Sequence, residues 1–333
     1  MATINDVCKL AGVSKTTVSR VINGKGQVKE STRQVVFDAM EQLHFKPNSL
    51  ARALAKNSSN SIGLILSTFN GNYFGELLSQ AAKLADQAGK QLFVTDGHND
   101  PKREIEAIDS LVDRRCDVIV LYSRYLSEQD LIDIKQRIPI PIVIINQQLQ
   151  GSTCHAVCFD QEHAARLAVN QLLDMNHKQI VCLTSPLNAS SGVLRLKGYQ
   201  DALAQRNIPV NKALIVQGQN TIVSGYDACK KLLRSGVSFT AIFACNDDMA
   251  IGVMKALTEA GLKIPEDLSI IGIDNETIGS FITPTLSTVE MPITEMTSTA
   301  IKMALDLAGG KEIEGGTKEF RGKLIVRDST AFI

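Results

Sequence analysis

An all-α helix-turn-helix head joined to a larger two-lobed α/β core with parallel sheets is the fold class the sequence predicts. Three observations carry it. Residues 3–23 read as two short amphipathic helices joined by a tight turn. Charge is split unevenly: residues 1–57 hold nine basic and four acidic side chains, although the 35 basic and 35 acidic residues of the 333-residue chain cancel. From Ser61 onward the pattern changes to short apolar runs alternating with longer amphipathic stretches, the signature of parallel α/β units. A small basic head on a slightly acidic body suggests a polyanion-binding module attached to a part with other work.

In the first helix Ile4, Val7 and Leu10 are expected to face inward. Gly12 supplies the backbone freedom of a sharp inter-helix turn, Val13 fills the angle, and Ser14 is placed to cap the second helix. That helix turns Val18, Val21 and Ile22 inward and leaves Lys15, Thr16, Thr17, Ser19 and Arg20 outside. Such a face suits the DNA major groove, where Arg and Lys reach guanine edges and hydroxyls reach phosphates. A merely solvated hairpin would carry the same pattern. Residues 31–44 form a third helix, with Val35, Val36, Ala39, Met40 and Leu43 inward, and Pro47 ends it. Asn48 can cap residues 49–56, a run of helix-forming composition. At about nine residues it is too short to stand alone in water, so it is expected to fold only when something packs on it. Residues 57–61 are a polar linker.

In the body the apolar runs predict strands at 62–67, 91–95, 117–122, 141–145, 179–184, 213–216, 240–245 and 269–273. Helical periodicity falls between them, as at 76–88, 102–112, 161–173, 193–205, 247–260 and 293–307. These strands are too many for one comfortable open sheet, so two α/β lobes are expected.

Ligands of open parallel sheets bind outside the carboxyl ends of the strands. The residues there repeat one chemistry. Phe69, Asn70, Tyr73 and Phe74 follow the first strand, and Tyr122 ends the third. Asn146-Gln147-Gln148, Asn246-Asp247-Asp248 and Asp274-Asn275 follow later ones. Planar amides and carboxylates pair well with vicinal hydroxyls, and aromatic rings can cover the apolar face of a sugar. Each Asn or Asp taken singly is also an ordinary turn residue or helix cap. Arg195, between two leucines on an apolar helix start, is either an ion-pairing core residue or a fork aimed at ligand oxygens.

Other chemistry is not expected. Cys154-His155 and Cys158 have no second ligand pair at zinc spacing, and seven irregularly spaced cysteines fit buried reduced thiols. No metal and no cofactor is called for: there is no Walker A sequence, and Gly24 and Gly26 lack the rest of a dinucleotide fingerprint. The five histidines lie apart, and a capping role explains at least one of Asp247 and Asp248 better than catalysis does. No run approaches the ~20 apolar residues of a membrane span, and the N-terminus has no signal pattern, so a cytoplasmic non-enzyme is expected.

Thr3-Ile4-x-Asp6-Val7, Ala11-Gly12-Val13-Ser14, Thr17-Val18-Ser19-Arg20-Val21 and Pro47-Asn48 resemble the headpiece of the lac/galactose repressor (LacI/GalR) family. The resemblance continues through Asn72-Tyr73-Phe74, Arg195-Leu196-x-Gly198-Tyr199, Asn246-Asp247-x-Met249-Ala250, Gly272-x-Asp274 and Pro284-x-Leu286. Asp96-Gly97, Arg115-Cys116-Asp117, Ile144-Ile145-Asn146 and Gly322-Lys323-Leu324-Ile325 look most like members governing β-glucoside or galactose utilisation.

The resemblance implies that Lys15, Thr16 and Arg20 face base edges and that Thr3, Ser14, Thr17, Ser19 and Asn23 face phosphates. Asn48 opens a DNA-contacting hinge helix, and Leu54 wedges into the minor groove. It implies an effector site of Phe69, Tyr73, Phe74, Asn146, Arg195, Asn220, Asn246 and Asp274 in a core like periplasmic sugar-binding proteins. The implied domains are a headpiece at 1–46 and a hinge at 47–60. One lobe takes 61–161 plus 292–322, the other 162–291 plus 323–333. Three positions depart from the family pattern. Lys29 stands where a capping Ser often starts the third helix, Asn220 replaces an aromatic, and Gln147 stands where related types carry Arg. The chain ends without a leucine-heptad tail, so a homodimer is expected, reading a pseudo-palindromic operator and released by a small sugar. The rival expectations are a sugar-binding protein without a DNA role and a regulator whose ligand acts as co-repressor.

Overall fold

The computed structural model describes residues 2–23, 26–45, 59–149 and 154–333, in two compact units, 1–60 and 61–333.

The first unit is three helices, α1 (Ile4–Ala11), α2 (Lys15–Asn23) and α3 (Glu30–Gln42). Thr3 opens α1, its backbone N–H and hydroxyl both donating to Asp6 Oδ2 at 2.8 and 2.7 Å. Gly12 ends it in the left-handed region at φ 63°, which lets the Val13 N–H turn back to the Cys8 carbonyl at 3.2 Å. Ser14 then caps α2, accepting from the Thr17 N–H at 3.1 Å. Lys29 precedes α3 with no side-chain cap. Val7, Val18, Val21, Val36 and Ala39 form the buried centre.

Two residues expected inside this centre are not there: Leu10 and Val35 are each 46% exposed. The inner stripe of α1 is Ile4, Val7, Cys8 and Ala11. At 3.6 residues per turn Leu10 lies roughly 100° from its middle. Val35 is displaced from the Val36, Ala39, Met40 and Leu43 stripe by a similar angle, so Cys8 and Ala11 take the places assigned to Leu10.

The second unit has two lobes, each an open parallel sheet flanked by helices. In chain order the first sheet takes β1 (Ser61–Leu66), β2 (Gln91–Asp96), β3 (Val118–Tyr122), β4 (Ile142–Ile145) and β5 (His155–Phe159), with α4 (Asn72–Gln87), α5 (Pro101–Asp113) and α6 (Glu128–Arg137) between them. Helix α7 (Gln161–Asp174) leads into the second sheet: β6 (Ile180–Thr184), α8 (Ser190–Gln205), β7 (Ile215–Gln217), α9 (Ile222–Arg234), β8 (Ala241–Ala244), α10 (Asp247–Glu259) and β9 (Ser269–Ile271). Short β10 (Thr288–Glu290) follows. Helix α11 (Ile293–Ala308) then returns to pack on α4 and the first sheet, and β11 (Gly316–Phe320) joins that sheet's edge beside β5. Last, β12 (Lys323–Ile325) pairs antiparallel with β10.

The strand orders are β11-β5-β4-β3-β1-β2 and β7-β6-β8-β9, with every pairing in both sheets parallel. Parallel strands buried on both faces read as continuous apolar runs, and β1, β3 and β4 do. Where the chain crosses between lobes the segments are tied. The Asp160 N–H donates to the Phe320 carbonyl at 2.8 Å, and Asp160 caps α7 through the His163 N–H at 2.9 Å.

Candidate functional sites

In the first unit, Lys15, Thr16 and Arg20 stand exposed on α2, and among the described residues neither Lys15 nor Arg20 has an ion-pair partner. The other expected contact residues there are already engaged. Thr3 binds Asp6, and Ser14 pairs with Thr17 through their hydroxyls at 2.9 Å. Asn23 Nδ2 donates to the Ser19 carbonyl at 2.7 Å and to its hydroxyl at 3.2 Å. One face of α2 therefore offers free cationic donors, set by side chains that brace the helix. Asn48 and Leu54 lie outside the described residues.

In the second unit, a cavity of about 220 Å³ lies at the carboxyl ends of strands from both sheets. Tyr73, Phe74, Asn146, Arg195, Asn220, Asn246 and Asp274 all line it. Phe69 does not, and it is 51% exposed. Its neighbours Thr68 and Asn70, in the bending loop after β1, face the cavity instead.

Arg195 is the hub. It is buried on α8 and spends its guanidinium three ways: Nε donates to Gln161 Oε1 at 2.7 Å, Nη1 to the Cys245 carbonyl, and Nη2 faces Asp274 Oδ1 at 3.6 Å. Gln161 Nε2 passes the contact on to Asn146 Oδ1 at 3.3 Å, and Asn146 Nδ2 donates to the Ser123 carbonyl at 3.2 Å. A polar relay thus runs from Asp274 in the second lobe to the end of β3 in the first. Arg195 combines both roles its position allowed, an ion pair and a place in the wall.

Asn220 Oδ1 accepts from the Ser185 hydroxyl at 2.6 Å, and its carbonyl accepts from Asn246 Nδ2 at 3.3 Å. Asn246 Oδ1 also caps α10 through the Met249 N–H at 3.1 Å. This corrects the capping assignment, since neither Asp247 nor Asp248 caps. Asp247 is fully buried, accepting from the Thr288 hydroxyl at 2.7 Å and the Glu276 N–H at 2.8 Å. It packs so closely under Gly272 that a Cβ there would lie 2.1 Å from Asp247 Oδ1.

Burial sets the charge state of this region. It pushes Asp274 up to about 7 against the opposing pull of Arg195, and it holds Asp247, Asp248 and Glu276 above the ordinary carboxylate range. Behind the cavity, Glu104 on α5 is fully buried and is likewise raised by burial to about 7. Its Oε2 accepts from Ser123 Oγ at 2.6 Å and its Oε1 from Ser67 Oγ at 3.3 Å.

Sequence reasoning missed Arg124, Gln161 and Glu276 as lining residues, and it named Asp248 at a strand end without taking it into the effector site. Arg124 lies over an aromatic cluster: its guanidinium is 5.1 Å from the Phe74 ring centre and 5.8 Å from that of Tyr122. The rings of Phe74 and Tyr122 meet edge to face at 5.0 Å, and Tyr73 joins both. Cys154 and Cys158 are buried beside or within β5. Among the described residues no group of His, Cys, Asp and Glu could hold a metal ion, and no helix is long and apolar enough to cross a membrane.

Comparison with known proteins sets these sites in context. Residues 3–48 match the family described as bacterial regulatory proteins, lacI family, and residues 169–330 match the periplasmic binding protein-like domain. The chain is 41% identical over 331 residues to the HTH-type transcriptional regulator AscG of Escherichia coli K12, covering 99% of this chain and 98% of that protein. It is 35% identical over 331 residues to the regulator GalR of the same strain, covering 99% and 96%. Among solved structures, the lac repressor dimer bound to operator and the anti-inducer ONPF superposes with a TM-score of 0.89 at 29% identity, covering 99% of both chains.

Proposed function

The chain belongs to the lacI family of bacterial regulatory proteins, a DNA-binding repressor with a sugar-binding type of core, and from that premise we propose its specific task. It represses an operon for β-glucoside or galactoside utilisation, and a small sugar bound between the lobes of the core releases it from its operator. The protein acts as a cytoplasmic homodimer on a pseudo-palindromic site. Lys15, Thr16 and Arg20 read base edges. Thr3, Ser14, Thr17, Ser19 and Asn23 approach phosphates, with Asn48 and Leu54 in the hinge completing the contact.

The observation that carries the reading is the cavity. Seven of the eight residues expected at the effector site line this one cavity, and the relay through Arg195, Gln161 and Asn146 runs beside it. An effector oxygen entering that relay exchanges with bonds that span the lobes, so occupancy and lobe arrangement are coupled. Linkage then requires that operator DNA weaken effector binding by the factor by which effector weakens DNA binding.

The test is fluorescence anisotropy of the whole protein on labelled DNA from upstream of its neighbouring genes, with and without a panel of β-glucosides and galactosides. Operator affinity is expected to fall with one class. Affinity unchanged by every sugar would overturn the effector reading, and tighter binding would make the ligand a co-repressor.

A further inference from the structure

The cavity holds two guanidinium groups in contrasting states. Arg195 is consumed by Gln161, the Cys245 carbonyl and Asp274. Arg124, two residues beyond β3, lies over the Phe74 and Tyr122 rings. Among the described residues no carboxylate comes within 4.0 Å of it. A cation withdrawn from water needs a compensating anion or good hydrogen-bond acceptors. Ring faces compensate part of that need without hydrogen-bonding the N–H donors of the guanidinium.

The carboxyl groups of the lining lie beyond ion-pair distance of Arg124, although Asp274 feels its charge. Asp248, Asp274 and Glu276 all come from the second lobe, whereas Arg124 and the aromatic cluster come from the first. The first lobe thus supplies a cation backed by rings, and the second supplies the carboxyls, with Arg195 already paired to Asp274 among them. A ligand matching both sides has an oxyanion at one end and hydroxyl donors at the other. Phosphate fits the first requirement best, because the planar fork of Arg meets two of its oxygens at once.

We propose that Arg124 is a specificity-determining residue that selects a sugar carrying a phosphate monoester over the neutral parent sugar. This rests on the cavity being the effector site. The Arg124 backbone carbonyl also accepts from the Ser190 N–H of the second lobe at 3.4 Å, so a ligand held by Arg124 sits where the lobes touch.

The experiment is titration calorimetry on the whole protein with glucose, galactose, their 6-phosphates, phenyl β-glucoside and inorganic phosphate. At least one sugar phosphate is expected to bind about tenfold or more tightly than its neutral parent, the scale of a charge-assisted hydrogen bond. Arg124→Gln is expected to abolish that preference. Arg124→Lys, which keeps the charge and loses the fork, should restore part of it. Neutral sugars binding as tightly as their phosphates would overturn the proposal and leave the effector reading standing. A preference undiminished in Arg124→Gln would place phosphate recognition elsewhere, the basic head included, and overturn it too. Binding of neither class would remove both readings. Should Arg124→Gln fail to fold, the comparison in the unsubstituted protein and Arg124→Lys still decide.

Discussion

Replacing Glu104 by Gln isolates the cost of one buried carboxyl. Glu104 is fully buried at the inner end of α5, and burial raises it from 4.5 to about 7 despite two serine hydroxyls that favour its ionised form. The sign follows from linkage. An acid with a folded-state value above its unfolded one binds more protons when folded. Its penalty is absent below pH 4.5, grows as pH rises, and is fully present above pH 7. A displacement of this size corresponds to about 3 kcal/mol at full ionisation. Gln keeps the shape and one acceptor oxygen and never ionises. Because Ser67 Oγ also lies 3.2 Å from the Tyr122 carbonyl, that hydroxyl can donate there and accept from the Gln amide. Glu104→Gln should therefore match the parent protein near pH 4.5 and exceed its stability by about 3 kcal/mol at pH 8. Urea unfolding followed by circular dichroism measures this across the range, since the chain has no tryptophan to report by fluorescence. Parallel stability–pH curves for the two proteins would refute the argument.

Three further outcomes follow from the same geometry. Gly272→Ala would set a Cβ against Asp247 Oδ1 and disturb its bonds to Thr288 and Glu276; overpacking of this kind costs about 1–3 kcal/mol, visible as a lowered melting temperature of the core. Arg195→Lys cannot reproduce three contacts in three directions, so effector affinity in titration calorimetry should fall by about tenfold or more, and an unchanged affinity would take Arg195 out of the site. Leu54→Ala should weaken specific operator binding far more than binding to random DNA, and equal losses on both in a gel-shift series would contradict the wedge role.

Much of this architecture is legible in the residues because it depends on local periodicity. Buried parallel strands are apolar throughout, so β1, β3, β4 and β6 declare themselves. The unforeseen strands are of another kind. Edge strand β11 is Gly-Thr-Lys-Glu-Phe, half-exposed, and is a strand only because β5 lies beside it. Strand β5, His-Ala-Val-Cys-Phe, draws the eye to its cysteine and histidine rather than to its pairing. Missing it hid Gln161, which follows it by two residues and joins Arg195 to Asn146. The strand-end rule that found Asn146, Asn246 and Asp274 also covers Arg124 and Glu276, in the loops after their strands, and Asp248 in the first turn of α10. What it could not supply is direction. Phe69 and Leu10 have the right chemistry at the right place and point away, because facing depends on a fraction of a helical turn or on one step along a bending loop.

The relay also bears on how strongly a ligand could bias the core. Apart from the Arg195 bonds, it contains one amide–amide hydrogen bond, Gln161 to Asn146 at 3.3 Å, longer than the 2.7 Å charge-assisted bond feeding it. A neutral bond of this kind is worth roughly 0.5–1.5 kcal/mol net, and one to a charged group roughly 1.5–3. Allosteric couplings in general run to about 1–3 kcal/mol. Exchanging the single amide contact for ligand oxygens is thus already on the scale of a functional coupling, without any large rearrangement of the apolar core. The same comparison separates the two arginines. Displacing Arg195 would forfeit several bonds at once, so it serves as a fixed frame, whereas Arg124 has in-plane donors to give and gains most from an incoming anion. On the proposed reading, affinity is concentrated at Arg124 and transmission at Gln161, the residue that opens the helix leading into the second lobe.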